Sequence, residues 1–295
     1  MASKRAVSGW IILDKPYGMT STQAVGKVRW LFNAEKAGHA GTLDPLATGL
    51  LPIALGEATK TVPFVQAGGK RYRFALDWGA ATSTDDAEGP VVATSDVRPG
   101  EAEIRAMLPR FTGTIQQRPP AFSAIKVNGE RAYDLARAGE IVELAERPVT
   151  ISELVLLSHD TERSIFEMAC EKGTYVRSLA RDLAEALGTR GHVTMLRRTA
   201  VAGFTEQDSV LLETFEAAPD RDALLQPAAI ALQHMPELRM SPEEAAFLRN
   251  GGVVLLRGRD APVEVSEAWA SLSGSAVAVG AVRAGHFHPS RVLRG

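Results

Sequence analysis

Apolar and polar residues alternate along Lys70-Arg-Tyr-Arg-Phe-Ala-Leu-Asp-Trp78 and along 148–158 and 164–170. Period two is the spacing of half-buried strands, and the last two runs are expected to pair. Continuous apolar runs at Trp10-Ile-Ile-Leu13 and from Leu50 to Leu55 read as buried strands, the first turning at Lys15-Pro-Tyr-Gly18. Helical spacing follows Thr20, whose pairing with Gln23 makes a capping box ahead of Val25, Val28 and Phe32. Residues 57–66 and 101–110 also read as helices, with Pro63 interrupting or ending the first. Leu179, Leu183 and Leu187 share one face of a helix that starts near Tyr175 and stops at Gly188. His192 to Phe204 reads as a strand interrupted by Arg197-Arg198. Periodicity thus predicts alternating strands and helices, without a sheet order.

Arg118-Pro-Pro-Ala-Phe-Ser-Ala-Ile-Lys126, with the Asn-Gly turn at 128–129 and a short amphipathic helix to Arg137, stands apart as a basic excursion from the main sheet. An acidic, alanine-rich stretch from 206 to 235 leads to a smaller unit beginning near Pro236. These boundaries predict a catalytic domain over 1–235, with an insertion at about 118–148, and a second domain over 236–295.

At 295 residues, 45 % hydrophobic and 23 % charged, the chain has the composition of an ordinary globular protein with room for a substantial core. No apolar run approaches the roughly eighteen residues of a membrane span, and no secretory segment follows the basic N-terminus. The single cysteine, Cys170, excludes an intramolecular disulfide and a CxxC metal pair, and its alternating context marks a strand or core residue. A cytoplasmic protein is expected. The net charge of −2 hides an uneven distribution: residues 1–76 carry ten Lys/Arg against four Asp/Glu, whereas 206–267 carry five against twelve. Such a chain can be neutral overall and still offer a basic face to a phosphate backbone.

The chemistry concentrates in His39-Ala-Gly-Thr-Leu-Asp44-Pro-Leu-Ala-Thr-Gly49. Pro45 biases Asp44 toward extended backbone, so the acid belongs on a loop, and Gly41 and Gly49 permit a tight one. Held against a buried strand, such a carboxylate can act as a covalent or electrostatic catalyst; on local pattern alone the commoner role of an Asp-Pro aspartate is to cap its own turn. The string resembles the catalytic motif of the TruB family, the bacterial tRNA pseudouridine-55 synthases. Asp14-Lys-Pro-Tyr-Gly-Met-Thr-Ser21 is similar to that family's N-terminal motif, and the 118–139 excursion looks like its thumb insertion.

The resemblance covers about residues 9–204 and implies an α/β fold with a mixed, largely antiparallel sheet, flanking helices and a small β-rich, PUA-like C-terminal domain. It implies isomerisation of uridine 55 in the T arm of tRNA to pseudouridine by base flipping, glycosidic cleavage and reattachment through C5. The implied enzyme needs no cofactor, metal or guide RNA, and a monomer is expected. Asp44 would be the catalytic carboxylate and Arg177 the cation that keeps it charged and aimed. Tyr72 would stack on the base and could move a proton, Tyr175 would fix Asp44 or Tyr72 by its hydroxyl, and Leu196 would pack on the base. His39 would fill the gap left by the flipped base, and Asp86 would contact that base or order its strand. Lys15 would pack beneath the catalytic loop or sit solvated in its turn. Lys15, Lys126, Arg197 and Arg198 are the expected phosphate contacts.

Two other classes share some of these features. A phosphotransferase of the haloacid-dehalogenase type could use Asp14 after its apolar strand with Asp85 and Asp86 as magnesium ligands, although Pro16 stands where that type wants a second acid. A non-catalytic RNA-binding protein could use the basic face alone.

Overall fold

The computed structural model describes residues 3–294 apart from 124, 128 and 141–143, with the backbone only at 126, 127, 131, 136 and 137. The chain forms two compact units: 1–43, 51–67 and 207–295 in one, and 44–50 and 68–206 in the other.

The second unit is built on sheet. Its strands run in the order 47–50, Gly191–Val201, Lys70–Trp78, Arg163–Cys170, Arg147–His159, Gly113–Gln117. The contact of 47–49 with 196–198 is parallel, and every later pairing is antiparallel. Alternation along Lys70–Trp78 turns Tyr72, Phe74, Leu76 and Trp78 into the core and Arg71 and Arg73 outward. Phe74 stacks on Phe166 of the next strand, centroids 5.2 Å apart. The helix Val176–Ala186 buries Leu179 and Leu183, as its spacing predicts, and packs on Gly191–Val201. Gly49 has φ +93, and a Cβ there would lie 2.2 Å from the Arg198 carbonyl oxygen, so only glycine lets the two parallel strands approach. The excursion leaves from Gln117 and returns at Arg147, directly paired neighbours, so the sheet closes beneath it.

The first unit carries the strand Gly9–Lys15, paired in parallel with Val210–Leu211, and the helix Ser21–Leu31 with the expected Thr20–Gln23 capping box. Phe32 meets Phe215 edge-on at 6.3 Å. Pro63 neither ends nor interrupts a helix: it is the second residue of the helix Val62–Ala67, where no intrahelical N–H is needed, and that helix follows directly on a 3-10 turn, Gly56–Thr61. A five-stranded sheet from Glu237 to Val292 has its own small core around Leu248, Ala268, Val282 and Phe287. The fold is thus α/β with mixed sheets and a β-rich C-terminal part. Among the described residues no helix is long and apolar enough to cross a membrane.

Two further expectations are corrected. Gly191–Val201 runs unbroken through Arg197 and Arg198, because Arg198 points into the core rather than disrupting the strand. Lys15 is not a solvated turn residue. It is fully buried, and its Nζ donates to the carbonyls of Pro16 (3.0 Å) and Met19 (2.6 Å), tying the turn ahead of the helix.

Candidate active site

The residues on either side of the Leu43–Asp44 bond are each hydrogen-bonded within their own unit. Ser21, the first residue of its helix, exchanges two hydrogen bonds with Leu43: its hydroxyl accepts from Leu43 N at 2.8 Å and donates to Leu43 O at 2.9 Å. After the acid, Ala47 N donates to Asp44 O at 3.0 Å as the strand begins. A loop closed this way presents its side chain with little freedom.

Arg177 sits in the first turn of Val176–Ala186, with only 5 % of its side chain exposed. Nε lies 2.9 Å from Asp44 Oδ2 and 3.5 Å from Asp86 Oδ2. The terminal nitrogens donate to two carbonyls, Thr84 O at 2.9 Å and Phe122 O at 3.0 Å. One guanidinium therefore joins the Asp44 loop, the 82–89 turn and the root of the excursion. A guanidinium stays protonated at any relevant pH and spreads its donors in a fixed plane, so it both stabilises the Asp44 carboxylate and sets its direction. Asp44 remains one-third exposed, open to a ligand, while Asp86 is buried and its Oδ1 accepts from Thr84 Oγ1 (2.5 Å) and Glu88 N (3.0 Å).

Tyr72 is buried on the same unit's sheet, opposite Met168 and Arg198. Burial pushes its hydroxyl above the ordinary phenol range, opposed by the neighbouring Arg198 guanidinium, which also hydrogen-bonds it. The ring is thus a neutral phenol at physiological pH. Leu196 lies buried opposite Phe74 and beside Ala47. Asp44, Tyr72, Asp86, Arg177 and Leu196 all belong to the second unit.

Other expected residues are placed differently. Arg198 was expected at a phosphate; it is 1 % exposed, with Nε donating to Leu50 O at 2.7 Å, so it serves the interior. The buried Lys15 is likewise removed from that role. Arg197 is part-exposed and ion-paired to Glu206 at 2.5 Å. The Lys126 side chain lies outside the described residues. Tyr175 precedes the helix with its backbone bracketed by the Gln117 amide, and its ring lies 5.3 Å from the Arg147 guanidinium. Its expected hydroxyl bond to Asp44 or Tyr72 is not formed among the described residues. His39 closes the short strand Ala37–His39 opposite Ile53, in the first unit.

Gln117, Thr84 and Arg181 escaped the sequence reading. Only Arg181 left a signal, four residues after Arg177 on one helix face. Its Nη1 lies 3.0 Å from Asp85 Oδ2. Asp85 and Asp86 therefore each face an arginine, which leaves neither disposed as an open magnesium ligand and removes the main support for the phosphotransferase alternative.

Comparison with known proteins identifies the family. Residues 29–176 match the N-terminal domain of the TruB family pseudouridylate synthases, and residues 177–233 match the C-terminal domain of tRNA pseudouridylate synthase B. The chain belongs to the TruB family. It is 52 % identical over 316 residues to the tRNA pseudouridine synthase B of Mesorhizobium japonicum, covering 99 % of this chain and 97 % of that one. With the protein of the same name from Chelativorans sp. it is 56 % identical over 301 residues, covering 98 % and 96 %. Among solved structures it resembles one from a Cbf5-Nop10-Gar1 complex, with a TM-score of 0.72 at 25 % identity, covering 97 % of this chain and 84 % of that one. As a TruB-family member it is an isomerase of the pseudouridine synthase class.

Proposed function

We propose that this TruB-family enzyme converts uridine 55 in the T arm of tRNA to pseudouridine, with Asp44 as its essential carboxylate. The carrying observation is the 2.9 Å pair between the buried Arg177 and the part-open Asp44. An anion held in a fixed direction by a buried cation, yet accessible to a ligand, suits attack on or stabilisation of a sugar or base carbon. The C1′–N1 bond breaks, the uracil turns, and C1′–C5 forms; the C5 proton goes to solvent and N1 acquires one. No group is gained or lost and nothing is oxidised, so the reaction calls for no cofactor.

Tyr72, neutral and buried, stacks on the flipped base, with Leu196 packed on the base and Asp86 steadying Arg177. His39 fills the space the base leaves, and Arg197 and Lys126 meet the phosphate backbone. The substrate reading draws on the names of the relatives. Residues 1–235 form the catalytic domain, and 236–295 an accessory PUA-like RNA-binding domain. The enzyme works as a cytoplasmic monomer without a guide RNA.

The test is tritium release from a T-arm stem-loop labelled at C5 of its uridines, in EDTA, for wild type and Asp44→Asn. Release by wild type alone is expected. A bound stem-loop with no release would favour the non-catalytic RNA-binding reading, and equal release would discard Asp44.

A further inference from the structure

Two successive acids, Asp85 and Asp86, meet two arginines one turn apart on a single helix. Asp86 Oδ2 faces Arg177, and Asp85 Oδ2 accepts from Arg181 Nη1 at 3.0 Å. Adjacent residues in extended backbone point to opposite sides, so such a pair needs an unusual turn. Asp85 supplies it with φ +61, a left-handed conformation that aspartate tolerates better than most residues. The turn is sewn to the neighbouring strand at Val193, whose N–H donates to Asp85 O and whose carbonyl accepts from Ala87 N. Like charges four apart on a helix repel unless acids lie between them, so neither arginine is well placed without its partner.

The same two guanidinia hold the excursion. Arg177 donates to Phe122 O, and Arg181 Nη2 donates to Arg118 O at 2.9 Å; Ser178 Oγ reaches that carbonyl at 2.8 Å. Arg181 is thus the outer copy of Arg177. It grips the same turn and the same root, but touches Asp85 where Arg177 touches Asp86 and Asp44. Its Nε spends a further bond on Asp182 at 2.9 Å.

Resting on the proposed Asp44-dependent reaction at the T arm, we infer that Arg181 is a positioning residue: paired with Asp85, it holds the 83–86 turn and residue 118 so that Arg177 keeps its aim on Asp44. The root of the excursion and the catalytic carboxylate then share one clasp, and displacement at 118–122 is felt at Asp44 through both arginines. Misplacement of a reacting group by about 1 Å can lower a rate on the order of a hundredfold.

The test compares wild type, Arg181→Gln, Arg181→Lys, Asp85→Asn and the Arg181→Gln/Asp85→Asn double variant. Two quantities are read well below each melting temperature: single-turnover tritium release at saturating T-arm stem-loop, and stem-loop Kd at fixed salt. Arg181→Gln is expected to slow release by roughly ten- to a hundredfold with Kd held within about twofold. Arg181→Lys should recover part of the rate, because an ammonium can reach Asp85 without forking to Arg118 O. The double variant should be no slower than the slower single, as for two groups acting as a unit. An unchanged rate in Arg181→Gln, a loss confined to Kd, or strictly additive losses would overturn the inference. If Arg181→Gln does not fold, Asp85→Asn and Arg181→Lys decide it by the same criteria. Failure of wild type itself would overturn the proposed action on the T arm, and the inference with it.

Discussion

The two faces of the Lys70–Trp78 strand carry arginines under opposite conditions. Outward, Arg71 pairs with Glu153 at 2.6 Å and Glu167 at 3.0 Å, and Arg73 reaches Glu167 at 3.4 Å, with the arginines 42–50 % exposed. Inward, Arg198 sits opposite Tyr72 with 1 % exposure, and Arg177 holds Asp44 from a site almost as dry. The distances are similar and the meaning is not. Water screens the outer ladder, so each of its pairs contributes at most about 1 kcal/mol. The inner arginines have lost their hydration and depend on every carbonyl and carboxylate around them. Short ion pairs alone do not distinguish a buried charge network from a decorated surface; burial and shared partners do.

Replacing Arg177 with Met should break this contrast most severely. It leaves Asp86 buried without its cation, and a loss of about 3–5 kcal/mol is expected in urea melts, together with loss of isomerisation. Arg198→Met should cost about 2–4 kcal/mol by orphaning the Leu50 carbonyl and emptying its place. The salt slope of RNA binding should stay as in wild type, and a reduced slope would return Arg198 to the phosphate contacts.

Lys70, on the inward parity of the same strand, tests the comparison through pH. Burial, with Arg198 nearby, lowers its ammonium from 10.5 to about 8. Between about 8 and 10.5 the unfolded chain holds a proton that the folded one has released, so this residue's contribution to stability improves as pH rises through that window. Lys70→Met should therefore stabilise the protein at pH 7 by on the order of 1 kcal/mol, after allowance for solvent screening, and the gain should vanish above about pH 10.5. A gain independent of pH would show that packing, not charge, is responsible. The smallest effect belongs to the outer ladder: a double-mutant cycle on Arg71 and Glu153 should give less than about 1 kcal/mol, falling further in 1 M salt.

Much of the frame was legible in the residues. The Lys70–Trp78 strand, the paired runs that became Arg147–His159 and Arg163–Cys170, the Thr20 cap and the stop at Gly188 all rest on local rules, and local rules are written in neighbouring residues. Asp44 on a glycine- and proline-bracketed loop was legible for the same reason. The short strand Ala37–His39 was missed because three residues are too few to show a period, and it exists by pairing with 53–55.

What the chain determined by itself was therefore its set of elements, its glycine-dependent turns and the motif that names its family. Whether an arginine or lysine faces water, phosphate or carbonyl was settled only in three dimensions. Lys15, Arg197 and Arg198 look alike as cations in a string. Lys15 ties a turn, Arg197 meets Glu206 at the surface, and Arg198 is sealed beside Tyr72. Sequence records the charge; the energy of that charge depends on how much water the fold removes and which distant groups replace it. The clasp of Arg177 and Arg181 on Asp86 and Asp85 belongs to that second kind of information, since its partners lie more than ninety residues apart.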